Sequence, residues 1–249
     1  MLIVSKMLKW HVLKLVFRLL LLVAALLLYA VNDAQMLDFT RFFELGVFSA
    51  FLWIVWAFLV LEMMFRIIPN KKIAIGARKH YACSYKAVSA NEKAAVAAFE
   101  ASEAKRNLHK GVVLSAVGWL AVTAAVLFAL HLIGILTAQT VLLWMLLLAV
   151  ADLVFVVFFC PFQVLFMRNR CCEDCRIYNW DYFMMCAPLI LFPSFFSVSL
   201  VLISLAVLIR WEIAVYKNPQ YFMEGTNINL RCGSCDDKLC KLRLNVNRK

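Results

Sequence analysis

Residues 112–167 read VVLSAVGWLAVTAAVLFALHLIGILTAQTVLLWMLLLAVADLVFVVFFCPFQVLFM, two long apolar segments joined by a short polar connection at 137–140. The whole stretch contains one carboxylate, Asp152, one histidine, His131, and no Lys or Arg. Each segment exceeds the roughly 20 apolar residues that an α-helix needs to cross the hydrocarbon core of a bilayer. Because the connection is so short, the two helices must be antiparallel neighbours. The stretch therefore predicts a helical hairpin that crosses a membrane twice.

Three further apolar segments have the length and composition of membrane spans. They cover 12–31, 45–68 and 182–209, and Pro188 and Pro193 interrupt the first third of the last one. The chain is 65% hydrophobic, whereas soluble domains contain about 45–50% apolar residues, so lipid is the expected solvent for much of its surface. The predicted fold is an all-α integral membrane protein with four clear transmembrane helices and a proline-interrupted fifth hydrophobic segment.

The net charge of +11 comes from 26 Lys and Arg against 15 Asp and Glu. These charges border the apolar segments, where basic residues set the orientation of a membrane protein and contact anionic lipid headgroups. We therefore expect the lipid bilayer with its anionic headgroups as the partner of the basic residues, and no nucleic acid. A second copy of the chain or another membrane protein stays open as a further partner.

Polarity divides the chain into six parts, each with its own expected role. In chain order these are an N-terminal two-helix membrane hairpin at 1–69, a cytoplasmic Ala-rich helical loop at 70–110, the membrane hairpin at 111–167, a loop with the first cysteine cluster at 168–181, the fifth hydrophobic segment at 182–211, and a polar tail with the second cysteine cluster at 212–249.

Positive charge in short loops predicts the cytoplasmic side. The N-terminal arm carries four Lys or Arg before residue 19 and no acid, and the segment 66–110 carries ten basic and three acidic residues. The loop between the first two spans is acidic instead, with Asp33, Asp38 and Glu44. We therefore predict a cytoplasmic N-terminus and a cytoplasmic Ala-rich loop.

The fifth hydrophobic segment has two interpretations. If residues 182–209 span the membrane, the tail lies on the outer face, although the eight basic and four acidic residues from Arg210 onward favour the inner one. If the segment is re-entrant, Pro188 and Pro193 mark the break, because non-helical backbone is tolerated where protein buries it. The length favours spanning, and the re-entrant interpretation alone brings both cysteine clusters to one face.

Six of the nine cysteines form two compact clusters, CCEDC at 171–175 and CGSC at 232–235 followed by Cys240. Each contains a C-x-x-C pair, a spacing that lets one tight turn present two thiolates to a metal ion. Two such pairs complete the tetrahedral four-sulfur shell of structural zinc or rubredoxin-like iron. We predict a zinc or iron site at the membrane surface, with Cys172, Cys175, Cys232 and Cys235 as primary ligands and Cys171 and Cys240 as supporting thiols.

Other chemistry fits the same cysteines. Six thiols suffice for an iron–sulfur cluster, although neither stretch matches a ferredoxin pattern. A thiol–disulfide or quinone-linked oxidoreductase would use the C-x-x-C pairs as redox dithiols. A non-catalytic membrane scaffold subunit would use them for assembly. The metal, structural or electron-transferring, is the leading hypothesis, and the sequence leaves open whether the chain is an enzyme.

Ionisable residues at membrane depth are expensive and indicate functional sites. Asp152 lies near the middle of the fourth span and His131 lies in the third, so a pair between them would form a proton path. Glu62 and Arg66 are four residues apart and share one helix face, which predicts a structural ion pair. No nucleotide-binding loop, H-E-x-x-H or G-x-S-x-G motif occurs in the chain.

Overall fold

The computed structural model of the protein describes most of the chain and is all-helical in its regular elements. All structural statements below concern the described residues, which are 6–31, 37–43, 50–68, 78–82, 84–88, 94, 96–97, 103–167 and 175–234. The sequence predictions that lie outside them concern Asp33, Glu44, most of the Ala-rich loop, and the cysteines Cys171, Cys172, Cys235 and Cys240.

The described ranges contain six α-helices with defined bounds, together with short 3₁₀ and π-helical turns. Five of the six are long and apolar enough to cross a membrane, which confirms the all-helical prediction and the number of long apolar helices. The α-helices are α1 Lys6–Ala30, α2 Ala50–Ile67, α3 Glu103–Leu132, α4 Ala138–Val157, α5 Asp181–Cys186 and α6 Phe195–Lys217.

Side-chain hydroxyls start two of the long helices. Thr137 and Thr140 form a capping box at the N-terminus of α4, and Ser194 and Ser197 form one at the N-terminus of α6. Each box satisfies backbone N–H groups that have no partner within the helix. Gly134, with φ of +79°, turns the chain from α3 into α4 in a conformation that residues with a Cβ rarely adopt.

The fifth hydrophobic segment forms a helical hairpin, which is the geometry expected of the re-entrant interpretation and not of one continuous helix over 182–209. Its first limb consists of α5 and the 3₁₀ helix Ala187–Leu191, and its second limb is α6. Pro188 lies inside the 3₁₀ helix, where its missing N–H costs little at the first turn. Pro193 immediately precedes the cap residue Ser194, and the chain reverses there.

Contacts at both ends of this hairpin define its direction. At the open end, Trp180 Nε1 donates to Glu212 Oε1 (2.8 Å) and Trp211 Nε1 donates to the carbonyl oxygen of Arg176 (2.6 Å). At the closed end, Phe39 packs on Phe192 and Phe196, with ring centroids 6.5 and 5.5 Å away. The two limbs therefore run antiparallel, and α6 returns to the end of the bundle from which the first limb started.

We call the two ends of the bundle the aromatic end and the tail end. The aromatic end contains the turn at 192–194, residues 37–43 and the α3–α4 turn at 133–137. The tail end contains 78–88, 175–180 and 218–234, which continue α6. There Ala87 and Asn227 form an antiparallel bridge, and the buried Asn227 side chain donates to the carbonyl oxygen of Lys79 (2.9 Å). The tail is thus folded onto the segment that follows α2.

The core is formed by α1, α2, α4 and the hairpin. Helix α1 packs along α4, and α2 packs along α6, where Trp56 Nε1 donates to Ser199 Oγ (2.8 Å). Fully buried apolar residues from these four elements include Ala25, Leu52, Leu142 and Leu200. Among the described residues, α3 contributes no fully buried side chain to this central cluster, and only its partly buried Leu127 packs against it.

Helix α3 stands apart from the core and touches it mainly near its own N-terminal half. Gly111 and Gly118 face Phe166 of the π-helical turn Phe162–Met167. The helix begins at Glu103 and continues without a break past residue 110, so the predicted boundary between the Ala-rich loop and the third span is not a helix end.

We predict that Gly111→Ala destabilises the protein and that Gly118→Ala does not. A Cβ at 111 would lie 2.7 Å from the carbonyl oxygen of Phe166, whereas a Cβ at 118 would make ordinary contacts at 3.4 Å. Replacing Gly by Ala stabilises a helix by about 1 kcal/mol at either position. The difference in unfolding free energy between the two variants therefore measures the clash at 111. Overpacking of a protein interior typically costs about 1–3 kcal/mol. Thermal unfolding in detergent measures it. Equal melting temperatures for the two variants would contradict the packing of α3 on Phe166.

Candidate functional site

A fully buried arginine in the middle of α1 organises the polar interior of the bundle. The side chain of Arg18 is 2% exposed. Its Nη2 lies 2.6 Å from Glu62 Oε2, and its Nη1 donates to Asp152 Oδ2 (3.0 Å) and to the carbonyl oxygen of Ala149 (2.7 Å). One guanidinium thus joins α1, α2 and α4. The fork of five N–H donors in Arg suits such simultaneous contacts.

The second cation on α1 extends this arrangement by one step. Lys14 Nζ lies 2.6 Å from Glu62 Oε1, so the two oxygens of Glu62 serve two different cations. The result is a continuous row of charges of alternating sign, in the order Lys14, Glu62, Arg18 and Asp152. Lys14 is the more exposed end of this row, at 17%.

A second buried ion pair lies beside the first row. Arg66 Nη1 and Nη2 lie 2.8 Å from the two carboxylate oxygens of Asp181, and Nη1 also donates to Asn179 Oδ1 (2.8 Å). The predicted pair between Glu62 and Arg66 is therefore wrong. Sharing a helix face allows such a pair, but each side chain instead contacts an oppositely charged group on another element.

Tyr182 connects the two sets of charges. Its hydroxyl lies 3.5 Å from Arg18 Nη2, and the guanidinium of Arg66 lies over its ring, 4.4 Å from the centroid. Tyr182 is fully buried. A cation over an aromatic face is attracted by the ring quadrupole, more strongly where water is excluded.

We call these six ionisable groups the charge network. It has three cations and three carboxylates, so its formal charge is zero. Isolated charges are prohibitively expensive away from water, whereas paired and hydrogen-bonded charges are tolerated. The members of the charge network are Lys14, Arg18, Glu62, Arg66, Asp152 and Asp181.

An open cleft borders the charge network on one side. It lies between α3, α4 and the first limb of the hairpin, and its empty volume is about 680 Å³. Asp152 and Asp181 both line it, so both rows of charge end at the same opening. The remaining wall is mostly apolar and includes Trp119 and Phe155.

No protein-family model, curated protein or solved structure matches this chain. The site is therefore interpreted from its own geometry.

The two polar residues predicted at membrane depth have different surroundings. Asp152 belongs to the charge network and pairs with Arg18, as a buried carboxylate requires. His131 is exposed in the last turn of α3, toward the aromatic end. The structure thus does not bring His131 and Asp152 together, and Arg18 takes the place of the expected partner.

The cysteine prediction is only partly covered by the described residues. Cys171, Cys172, Cys235 and Cys240 lie outside them, and Cys232 begins the 3₁₀ helix Cys232–Ser234 at the tail end. Cys175 is 4% exposed, packs in an apolar cluster with Tyr178 and Trp211, and lines the cleft. Within the described ranges, no three His, Cys, Asp or Glu side chains are arranged to hold a metal ion. The six-cysteine site stays a prediction.

Five members of the charge network were not among the predicted site residues, namely Lys14, Arg18, Glu62, Arg66 and Asp181. Lys14 and Arg18 lie near the start of the first apolar segment. In an isolated membrane helix, such long basic side chains extend to the lipid headgroups, so the sequence did not indicate that they are buried. The available signal was their position inside the first apolar segment, seven or more residues after Met7. Asp181 and its partner Arg66 are far apart in sequence, and local spacing carries no information about such a pair.

We predict that Arg66→Met destabilises the protein strongly and that Arg66→Met with Asp181→Asn restores most of the loss. Removing one partner of a buried pair leaves an uncompensated charge, at a cost of about 3–5 kcal/mol. Unfolding in detergent with increasing denaturant measures the cycle.

The pair of Arg176 with Glu212 is the matched control for this cycle. The two groups lie 2.8 Å apart, but the Glu212 side chain is 39% exposed. Exposed pairs contribute about 1 kcal/mol or less, so we expect little effect of Arg176→Met. An equally large loss of stability in Arg66→Met and Arg176→Met would show that burial of the ion pair does not determine the cost of removing one partner.

Proposed function

We propose that this chain is an integral membrane protein that binds one zinc or iron ion through its two cysteine clusters, at the tail end of the helical bundle. The single observation that carries the proposal is the hairpin in the fifth hydrophobic segment. It brings the chain back to the end from which it left, so the segments that contain Cys175 and Cys232 lie at the same end of the bundle.

The outer surface of the bundle supports the membrane location. Large apolar side chains are exposed along the outward faces of the long helices, for example Leu20 at 61%, Leu27 at 60% and Leu120 at 59%. The charged side chains of the same depth point inward and pair with one another. This distribution is the one that a hydrocarbon solvent favours, because lipid accepts apolar groups and rejects unpaired charges.

In the sequence, the length of the fifth hydrophobic segment favoured a membrane span, whereas the basic charge of the tail favoured the same face as the N-terminus. The hairpin is compatible with both observations. An odd number of crossings would have left the basic tail on the face opposite the N-terminus. With the hairpin, the N-terminus of α1, residues 78–82 and 84–88, and the described part of the tail up to residue 234 all belong to one end. The excess of Lys and Arg in these segments favours the cytoplasmic side, where they contact anionic lipid headgroups.

The contacts around Arg176 support a shared cysteine site. Arg176 follows Cys175 directly, its guanidinium pairs with Glu212, and its carbonyl oxygen accepts from Trp211. These bonds fix the end of the first cluster against α6, whose continuation leads to Cys232. Thiolates from both clusters would complete a four-sulfur shell, and nearby cations such as Arg176 and Arg231 favour the ionised thiol. Zinc would tie the tail to the bundle, and iron would allow electron transfer.

A second candidate function is thiol redox chemistry. The observation in its favour is that Cys160 and Cys175 both line the cleft. In this alternative the cysteines cycle between dithiol and disulfide, with a lipid-soluble quinone as the electron acceptor, and the chain holds no metal.

We predict that the two cysteine clusters react from the same side of the membrane. Variants with one remaining cysteine, either Cys172 or Cys232, would be labelled in sealed vesicles by a membrane-impermeant maleimide. Phe43→Cys at the aromatic end is the control, because Phe43 is 65% exposed and belongs to the opposite end. We expect Cys172 and Cys232 to share one sidedness and Phe43→Cys to have the other. Opposite sidedness of Cys172 and Cys232 would exclude a shared site in one chain.

We predict about one zinc or iron ion per chain when the protein is purified in detergent without chelator. The double variant Cys172→Ser with Cys235→Ser would lose it, because two of four ligands are missing. Cys186→Ser is the matched control, since Cys186 is fully buried in the central core. Elemental mass spectrometry and an absorption spectrum measure the content.

The outcomes of the metal measurement separate the candidates. Zinc without visible absorption supports a structural site, and iron with charge-transfer bands supports electron transfer. Absence of metal, with dithiols that titrate against redox buffers, would overturn the metal proposal in favour of thiol redox chemistry.

A further inference from the structure

The cleft beside the charge network lies between Trp119 of α3, the adjacent face of α4 and the first limb of the hairpin. Helices α3 and α4 are joined by the turn at 133–137, and near the tail end Gly111 of α3 packs against Phe166 of the π-helical turn. The space within the cleft, its open mouth included, is about 680 Å³. In a membrane, an opening between α3 and α4 would face the lipid. A molecule that enters it comes from the hydrocarbon phase.

The walls of the cleft suit an apolar chain. Trp119 from α3, Phe155 from α4 and Phe162 from the π-helical turn line it, together with Met184 of the hairpin. Ligand sites commonly combine apolar walls with a few polar groups that fix orientation. Aromatic and Met side chains adapt to irregular apolar ligands.

One carboxylate oxygen at the wall has capacity for a further hydrogen bond. Within the described part of the chain, Asp152 accepts a hydrogen bond only at Oδ2, from Arg18. Both oxygens of Asp181 face the guanidinium of Arg66, and its Oδ1 also accepts from the backbone N–H of Tyr182. Asp181 Oδ2 accepts no hydrogen bond in this ion pair, but it is fully buried, whereas the Asp152 side chain is 14% exposed. Of the two carboxylates that line the cleft, Asp152 is therefore the more accessible acceptor for a ligand.

Charge complementarity decides the class of ligand. The charge network is neutral as a whole, so a cationic ligand would leave one uncompensated positive charge in a low-dielectric site. An anionic ligand would face the carboxylates of Asp152 and Asp181. A neutral hydroxyl can donate a hydrogen bond to a carboxylate without changing the net charge of the network. An added unpaired charge would be costly at a buried site.

We propose that the cleft between α3 and α4 binds a lipid alcohol, a molecule with an apolar chain and a neutral hydroxyl that donates to Asp152. The apolar chain lies between Trp119 and Phe155, and the hydroxyl reaches the end of the charge network. The inference rests on the membrane location of the proposed function, and it is independent of the metal site.

A photoactivatable oleyl alcohol with a diazirine in the chain tests the proposal directly. The probe is added to the full-length protein in detergent, irradiated, and mapped by peptide mass spectrometry. We expect labelling at 119 and 155 that excess oleyl alcohol suppresses. A hydrogen bond to a charged group contributes about 1.5–3 kcal/mol, so oleyl methyl ether, which has no donor, is expected to compete at least tenfold more weakly.

Two further competitors separate the possible recognition chemistries. Oleylamine and oleate have the same chain as oleyl alcohol with a cationic or an anionic head. Both are expected to compete more weakly than the alcohol. Stronger competition by oleylamine would overturn the proposal in favour of a cation site, and equal competition by all four compounds would reduce the cleft to a non-selective apolar groove.

Substitutions outside the charge network test the cleft without removing any of the buried ion pairs. Ala151 lines the cleft, so Ala151→Phe fills it and leaves every ion pair in place. Leu147→Phe is the matched control, because Leu147 lies on the same helix, is 45% exposed and does not line the cleft. We expect the labelling at 119 to fall at least tenfold in Ala151→Phe and to persist in Leu147→Phe. Unchanged labelling in Ala151→Phe would overturn the proposal.

Asp152→Asn tests the role of the hydroxyl. The substitution keeps an acceptor oxygen but removes its charge, so the preference for the alcohol over its methyl ether should fall to less than threefold. A preference that persists undiminished would exclude Asp152 as the acceptor. Metal content and membrane extraction, measured on the same preparations, keep a failure of the lipid site distinct from a failure of the proposed function.

Discussion

Every element of the core depends on the burial of Arg18. A guanidinium in the middle of an apolar helix has no water to solvate it, so the surrounding helices must supply carboxylates and carbonyl oxygens. Glu62 from α2 and Asp152 from α4 do so, and the carbonyl oxygen of Ala149 completes the contact. The requirement to satisfy one cation thus fixes how α1, α2 and α4 face one another. Apolar packing alone would permit many rotations of these helices, because lipid and core are equally apolar.

The same requirement positions the hairpin. Its first limb is short, irregular and interrupted by proline, and isolated helices of this length are marginal. Arg66 secures the limb through Asp181 and Asn179, and Tyr182 packs between both buried arginines. Pro188 and Leu189 of the limb are buried, whereas Ile190 and Leu191 next to the turn are about half exposed. The polar contacts therefore compensate for the weakness of the limb's own helical structure.

The sequence predicts most of the long helices but few of the contacts between them. Hydrophobic length predicts α1, α2, α4 and the reversal at 133–137, because a span of given length has few alternatives in lipid. The reversal at 192–194 was open, since Pro188 and Pro193 were equal candidates for a break and only tertiary contacts distinguish them. The spacing of four residues also predicted the wrong partner for Glu62. Which buried charges pair depends on which ones tertiary packing brings together, and the local sequence does not contain that information. For the candidate site, Asp152 was predictable from its depth, whereas Arg66 with Asp181 was not.

The segment 175–182 links the two sites that the chain combines. It starts at Cys175, is held at the tail end by Arg176, and enters the charge network at Asp181 and Tyr182. A ligand in the cleft would contact this same segment, because Ile177, Tyr178 and Asp181 line its wall. Coupling between two sites requires that both bias one element, and here that element would be a short, polar-anchored limb rather than a long helix. The proposed metal site and the proposed lipid site would therefore share one physical connection, the segment from Cys175 to Tyr182.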